Sequence, residues 1–247
     1  MPNILQFKEL DSTNKYAKEN FDSIEDRTLI VADSQTAGRG RRQKSWFSPP
    51  GTNLYASFVI KALKFDVSIS SWIGGLAALK TVIELSEASH DFWIKWPNDV
   101  YCKDRKIAGV LCETVSDIQN TIKGVIIGIG INVNMTREQL EFIDRPATSL
   151  LSETNRILEV SAVSEILLKH AASFTDKAEQ NPDELYNLWK SDNKILGRKI
   201  NVDITGREQV TGKAIDIKRC GSLYLMDDKG DFHTLYSGDV SVKSFEK

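Results

Sequence analysis

A short cationic segment between two apolar runs carries the residue types best suited to chemistry. Residues 38–46 read GRGRRQKSW, which places arginines and a lysine among glycines and directly before Trp46. Glycine lets the backbone turn tightly and approach a ligand closely. Arginine and lysine bind phosphate and carboxylate groups, and an aromatic ring can stack on a purine. The combination predicts a mobile loop that closes over a small anionic ligand containing an adenine.

Two other interpretations of this segment are a disordered RNA-binding region and a solvated charged loop. Arginine and glycine together occur in RNA-binding segments, and runs of charge are often only solvated. The segment is short, however, and apolar runs at 28–34 and 53–60 flank it. The net charge of the chain is −2, so it has no overall positive field to hold a nucleic acid. A small anionic ligand is therefore favoured.

A second polar cluster lies in KWPNDVYCKDRKIAG, residues 95–109. Pro97 favours extended geometry in the residue before it, so Asn98 and Asp99 are expected to be turn residues with outward side chains. An ordinary hairpin tip would contain the same residue types. Lys106 comes directly before the apolar residues of a predicted buried strand, where a charge requires a partner.

Two further segments contain candidate ligand contacts. GVIIGIGINVN (124–134) has two glycines that are a weak dinucleotide signal without a third, and no helix is predicted after them. We interpret it as a strand whose glycines allow a ligand to approach, with Asn132 as a hydrogen-bonding residue. Asp11–Asn14 predicts either a simple helix cap or a site for a polar head group such as a urea or carboxylate.

Composition excludes several classes of protein. The chain has 247 residues, 41% of them hydrophobic and 27% charged, which is typical of a globular protein. Three scattered cysteines predict free, buried or half-buried thiols rather than disulfides or a zinc site. Neither a secretory signal nor a membrane-spanning run is found, so a cytoplasmic location is expected. No spacing supports a catalytic nucleophile, so the chemistry is expected to need none.

The elements that must position these residues follow from hydrophobic periodicity. Helices are predicted from Asp11 or Ser12 to about residue 21, over 69–87, along a stripe from Val163 to Phe174, and over 182–191. Strands are predicted at 3–10, 28–34, 53–60 and 92–96, with an antiparallel pair at 106–114 and 121–133. Five short strands between 199 and 243 predict a small barrel, with a domain boundary near residue 192.

Taken in order, six segments of the chain resemble the biotin–protein ligases. They are DSTN, SQTAGRGRRQKSWFSPPGTNLYAS, KWPNDVYCKDRKIAGVLCE, IGIGINVN, ATSLL and SGDVSVKS. The resemblance covers essentially the whole chain. It implies an α+β fold in which a class II synthetase-like catalytic domain (1–191), a mixed β-sheet with flanking helices, precedes a small SH3-like β-barrel (192–247).

The resemblance also implies an activity. An enzyme of this family forms biotinyl-5′-AMP from biotin and ATP with Mg²⁺, and then transfers biotin to a lysine of a biotin carboxyl carrier protein. A lipoate–protein ligase is the closest alternative, against which DSTN and GRGRR argue, and a non-catalytic regulator or RNA binder is another. Repressor members of the family also carry an N-terminal helix-turn-helix domain, and this sequence is expected to lack it, so DNA binding is not expected. The lack of a membrane-spanning run predicts that the protein does not bind a membrane. Homodimerisation stays open, and the metal ligands are not identified.

Residue roles follow from the same resemblance. The catalytic residues would be Lys106, Arg41 and Asp99, with Asp99 near the acceptor lysine or the metal. Asp239 would approach the active site from the C-terminal barrel. The family usually has glycine where Gln43 stands here, which is expected to change how the loop orders. The biotin site would contain Ser12, Thr13, Asn14, Gln35, Gly38, Arg39, Gly40, Arg41, Lys106 and Gly109, and the nucleotide site Arg41, Arg42, Trp46, Asn132 and Lys243.

Overall fold

A seven-stranded sheet is the largest element of the computed structural model, which describes residues 3–61, 63–87, 91–204 and 209–242. Its strands are β1 (Ile4–Leu10), β2 (Leu29–Gln35), β3 (Leu54–Ile60), β4 (Phe92–Lys95), β5 (Asp99–Cys102), β6 (Arg105–Ser116) and β7 (Ile122–Ile131). The order across the sheet is β1-β2-β3-β7-β6-β5-β4. Only β1 and β2 run parallel, and the other pairs of neighbours are antiparallel. The predicted β6–β7 pair is confirmed, whereas β5 was not predicted.

Helices cover both faces of this sheet. They are α1 (Thr13–Glu19), α2 (Ser70–Ser86), α3 (Arg137–Leu140), α4 (Leu150–Thr154), α5 (Val160–Gln180) and α6 (Pro182–Ser191). The helix α2 packs on β6 and β7 and comes closest at Gly74, where a Cβ atom would lie 2.7 Å from side-chain atoms of both Ile127 and Val110. The four predicted helices are confirmed; α3 and α4 are too short to show periodicity.

Side chains that alternate along the central strands give the two faces of the first sheet different residue types. On β7, Val125, Ile127 and Ile129 join the core beneath α2 and α5. The intervening Ile126 packs with Ala17 of α1 on the opposite face, where Gly128 and Gly130 follow it at the period of two. Small residues on this second face leave room for a cavity, while bulky ones on the first face supply the core.

The C-terminal part forms a second, five-stranded sheet. Its strands are β8 (Lys199–Asp203), β9 (Val210–Ile217), β10 (Leu223–Asp227), β11 (Phe232–Leu235) and β12 (Asp239–Val242), in the order β11-β10-β9-β8-β12. All its pairings are antiparallel. The α+β class is thus confirmed. Within the described residues β11 and β12 do not pair, so the five-stranded sheet is not closed between these two strands.

Buried side chains from both sheets belong to one contiguous cluster. At the junction the Trp96 indole N–H donates to Gly221 O at 2.8 Å, and the Tyr186 hydroxyl donates to Ile217 O at 2.5 Å. The change from helices to strands falls between the end of α6 and the start of β8. The division into domains 1–191 and 192–247 stays a prediction.

The cysteines are free, as expected, although Cys220 is exposed rather than buried or half-buried. Burial raises the pKa of Cys102 and of Cys112 to about 12, so both thiols are protonated at neutral pH. Among the described helices, not one combines the length and the apolarity needed to cross a bilayer.

Candidate functional site

A cavity of about 410 Å³ lies on the sheet face that α2 and α5 leave uncovered. The four predicted segments meet there. Predicted site residues that line it are Ser12, Thr13, Asn14, Gln35, Arg39, Gly40, Arg41, Trp46, Asp99, Lys106, Gly109 and Asn132. Gly38 and Arg42 do not line the cavity, and Lys243 falls outside the described residues.

Hydroxyl and amide groups form one end of the cavity, where α1 begins. Ser12 caps the helix by accepting from the Lys15 N–H, and Gln35 Oε1 accepts from the Thr13 N–H at 2.9 Å. The Ser57 hydroxyl oxygen lies 2.6 Å from Asn14 Oδ1 and 2.8 Å from Thr13 Oγ1. Ser12, Thr13, Asn14 and Ser57 are buried. This end therefore offers fixed donors and acceptors to a small polar group.

Residues 38–48 form a flap over the cavity, and three of its four cations lie within 4 Å of a carboxylate, two of them sharing Asp239. Arg39 Nη2 lies 3.1 Å from Glu113 Oε2. Lys44 pairs with Asp239, and Arg42 Nη1 lies 3.9 Å from the same carboxylate. The second sheet therefore helps to hold the flap through Asp239, which also lines the cavity, so this residue does approach the site.

The fourth cation, Arg41, has a neutral partner. Its Nη1 donates to Asn98 Oδ1 at 2.9 Å. Within the described chain it is the flap cation without a carboxylate inside 4 Å. Burial lowers the pKa of Arg41, an effect that Asp99 and Asp239 oppose, and a guanidinium stays protonated at neutral pH. The cavity thus contains a positive charge that an anionic ligand can neutralise.

The prediction that Asn98 points outward is wrong. Its side chain is buried, accepts from Arg41 and donates to Val110 O. The reason is that β5 begins one residue later and pairs with β6, which turns Asn98 under the flap instead of leaving it at a hairpin tip. A polar side chain in that position requires hydrogen-bond partners, and both ends of its amide have one.

Lys106 has the partner that its position requires. Its Nζ lies 2.7 Å from Asp99 Oδ1, and the two side chains are 13% and 21% exposed. The start of β6 is held in place because the Lys106 N–H donates to Pro146 O at 3.0 Å. The predicted need for a counter-charge is confirmed. The pair brings a cation and a carboxylate together on the cavity wall beside Arg41.

Glycines on the cavity face allow a close approach, but the approaching group is a side chain of the protein. A Cβ atom on Gly130 would lie 2.5 Å from Trp46 Cε2, and one on Gly109 would lie 2.9 Å from Trp46 Cζ3. Lys106 Nζ is 5.3 Å from the centre of the same indole ring. The buried indole N–H of Trp46 makes no hydrogen bond to any described residue. A ligand acceptor would remove the cost of leaving it unpaired.

The carboxamide of Asn132 is partly committed to the fold. Its Nδ2 donates to Thr148 O at 2.9 Å, and this hydrogen bond links the end of β7 to the residue before Ser149. One amide hydrogen and the carbonyl oxygen remain for other contacts. Asn132 thus lies where a ligand contact is feasible, and its predicted role with a nucleotide stays a prediction.

Several lining residues were not identified from the sequence. Asn98 was assigned outward, and Phe142 and Arg145, which lie on the rim, follow no recognised pattern. Two further site residues, Ser57 and Glu113, contact the cavity-lining Asn14 without lining the cavity themselves. A signal existed for Ser57, because it is a polar residue within the otherwise apolar strand β3. Glu113 follows Gly109 at even spacing on β6, so the period of two places both on one face.

Lys95 lies close to this site and has a strongly perturbed ionisation. It donates to the Tyr101 hydroxyl at 2.5 Å, and burial lowers its pKa from 10.5 to about 8, with Asp99 opposing the shift. Below pH 8 the amine is charged in both the folded and unfolded states, so the folded state bears the full cost of burying the charge. Between pH 8 and 10.5 the unfolded chain binds more protons, so stability from this group rises with pH.

We therefore expect Lys95→Met to remove a pH-dependent term from the free energy of unfolding. The stability of the native protein relative to the variant should rise by up to about 3 kcal/mol across that window. Urea unfolding of both proteins at several pH values measures the difference. A constant difference from neutral pH to the ordinary lysine pKa would contradict the assignment.

The described residues contain no group of three or more histidine, cysteine, aspartate or glutamate side chains arranged to hold a metal ion. Asp99 and Asp144 are carboxylates on the cavity wall. Mg²⁺ commonly binds through one or two carboxylates together with substrate phosphates and water. The wall is thus compatible with a magnesium–nucleotide complex.

Comparisons with known proteins agree on one family. A model described as "Biotin/lipoate A/B protein ligase family" matches residues 6–132. The Escherichia coli protein "Bifunctional ligase/repressor BirA" is 29% identical over 96% of this chain and 73% of its own length. The "Biotin--[acetyl-CoA-carboxylase] ligase" of Mycobacterium tuberculosis is 30% identical over 87% of this chain and 79% of its own. The solved structure "Biotin protein ligase from Aquifex aeolicus in complex with biotin and ATP" is 31% identical, with a TM-score of 0.82 over 98% of this chain and 99% of that one.

Proposed function

This chain belongs to the biotin/lipoate A/B protein ligase family, and we propose that it is an ATP-dependent biotin–protein ligase. The observation that carries the proposal is the charge distribution of the cavity. Arg41 and the Lys106–Asp99 pair occupy one part of the wall, and the buried polar groups of Ser12–Asn14 occupy another. An elongated ligand with a polar ring at one end and a carboxylate at the other fits this arrangement.

The first reaction would join two anions. A carboxylate oxygen of biotin attacks the α-phosphorus of ATP, and the bond from that phosphorus to pyrophosphate breaks, which gives biotinyl-5′-AMP. Repulsion between the carboxylate and the triphosphate opposes this step. Arg41 and Lys106 would reduce the repulsion and stabilise the charge that develops, and the Lys106 side chain is only 13% exposed. Mg²⁺, when bound, would neutralise phosphate charge, and the carboxylates that line the cavity are those of Asp99, Asp144 and Asp239.

The flap would protect the product of this step. An acyl-adenylate is a mixed anhydride that water hydrolyses, so a closed flap excludes solvent. The second reaction transfers the acyl group to the ε-amine of a lysine on a carrier protein: the new C–N bond forms, the bond from the acyl carbon to AMP oxygen breaks, and AMP leaves. The amine must be neutral to attack. Asp99, which lines the cavity, would orient this amine or accept its proton.

Biotin-dependent exchange between ATP and pyrophosphate tests the proposal. We expect exchange with biotin, and little with lipoate, because a dithiolane ring offers no urea-type donors or acceptors to the polar end of the cavity. Transfer to a biotin carboxyl carrier domain should follow when the domain is added. Exchange driven by lipoate alone would assign the chain to the lipoate branch of the family, and exchange with neither acid would reject ligase activity.

A further inference from the structure

We propose that Glu113 is a positioning residue that links the polar end of the cavity to the flap, so that a bound ring and a closed flap stabilise each other. The inference rests on the proposed function, because the ring concerned is the ureido ring of biotin. Glu113 lies on β6 and faces the cavity side of the sheet. Its side chain is 22% exposed, and its carboxylate binds groups from two other parts of the chain.

The first of these groups is the amide of Asn14. Its Nδ2 donates to Glu113 Oε2 at 2.8 Å and to Leu111 O at 3.2 Å. An amide nitrogen has two hydrogens, so both are used. The carbonyl oxygen is therefore directed to the other side, where it lies 2.6 Å from Ser57 Oγ. Because a carboxylate only accepts hydrogen bonds, Glu113 fixes this orientation of the amide.

An acceptor fixed in this way suits a ring N–H. The Ser57 hydroxyl has one hydrogen but two acceptors within reach, Asn14 Oδ1 and Thr13 Oγ1. It can therefore donate to one of them while the other accepts from a ligand. A ureido ring carries two N–H groups and a carbonyl, which matches an end of the cavity that contains both acceptors and hydroxyl donors. If the Asn14 amide rotated, its NH₂ group would face the ring N–H of the ligand, and two hydrogen-bond donors would then face each other.

The second group is the guanidinium of Arg39 in the flap. Its Nη2 lies 3.1 Å from Glu113 Oε2 and 3.4 Å from Oε1. Arg39 is 47% exposed, so the ion pair alone contributes little to stability. However, the oxygen that contacts Arg39 most closely is also the one that accepts from Asn14. The position of the flap and the orientation of Asn14 thus depend on one atom, and coupling between two sites acts in both directions.

Two variants and a control test this coupling. Glu113→Ala removes both contacts, whereas Glu113→Gln keeps an acceptor for Asn14 and loses the charge that holds Arg39. Glu179→Gln is the matched control, because Glu179 pairs with Arg27 at 3.1 Å on α5, away from the cavity. Biotin affinity is measured by calorimetry without nucleotide. Flap closure is measured as the protection that saturating biotin gives against trypsin, which cleaves after the arginines and lysine of the flap.

For Glu113→Ala we expect biotin affinity to fall about 10- to 100-fold, the range for hydrogen bonds to charged groups, and the protection to be lost. Glu113→Gln should lose much of the protection, and its affinity should fall less than that of Glu113→Ala, because Asn14 keeps an acceptor and only the contribution of the flap contact is removed. Glu179→Gln should resemble the native protein in both measurements.

Normal protection of both Glu113 variants by saturating biotin, even at a lowered melting temperature, would show a merely structural role and overturn the inference. If Glu113→Ala does not fold, the isosteric Glu113→Gln variant decides through protection alone. A native protein that does not bind biotin would instead reject the proposed function, so the two failures are distinguishable.

Discussion

Replacing Lys106 with alanine is expected to slow biotin-dependent adenylate formation roughly 10²–10³-fold, which corresponds to about 2.7–4 kcal/mol of lost transition-state stabilisation. The lysine is held by Asp99 at 2.7 Å on a wall where it is mostly shielded from solvent. A fixed cation needs no reorganisation as negative charge develops on the attacking and leaving groups. Single-turnover formation of the adenylate measures the effect directly.

A second variant distinguishes a catalytic role of Lys106 from a role in neutralising Asp99. Lys106→Ala leaves the carboxylate of Asp99 without its partner, and an uncompensated charge could repel the substrates. The double variant Lys106→Ala with Asp99→Asn removes that charge. We expect it to stay slow in adenylate formation. Recovery of the native rate would mean that Lys106 only neutralises Asp99, and a near-native rate for the single variant would reject the catalytic role.

Replacing Arg41 with alanine should make the enzyme release free biotinyl-AMP. Arg41 contacts a neutral amide, so its charge is available to the ligand instead of being neutralised within the protein. Losing one charge-assisted contact corresponds to roughly 10- to 100-fold weaker retention of the adenylate. The measurement compares the rate of adenylate release with the rate of transfer to the carrier domain.

Arg27→Ala provides the matched control for this variant. Arg27 is an arginine with two carboxylate partners, Asp176 and Glu179, and it does not line the cavity. The control should release no more adenylate than the native protein does. If Arg41→Ala retains the adenylate as well as the control does, the guanidinium does not hold the intermediate.

Much of the fold could be predicted because its elements repeat at clear periods. The apolar stripe of α2 and the mostly apolar run of β3 identify both elements without tertiary information. The strand β5 has four residues and begins with an aspartate, so no local pattern distinguishes it from a turn. The missed strand also explains the wrong orientation of Asn98, because only pairing with β6 turns that side chain inward.

The sequence predicted which residue types form the site, but not which side chains contact one another. The flap was recognisable from its arginines and glycines, yet nothing local indicates that Arg39 meets Glu113 or that Lys44 meets Asp239. Those contacts join strands of different sheets to one loop, and sheet order determines them. The position of Trp46 over two glycines depends on register in the same way, because Gly109 and Gly130 are opposite one another on β6 and β7.

The continuous apolar interface between the two sheets limits how this protein can be rearranged by recombination. A fragment ending at residue 191 would expose the apolar side chains that Ile200, Leu223 and their neighbours now cover. It would also lack Asp239, the carboxylate that pairs with Lys44 of the flap. Exposed surface of that kind favours self-association over solubility. A replacement of the second sheet would therefore need to match the shape of this interface and to supply a carboxylate to the flap.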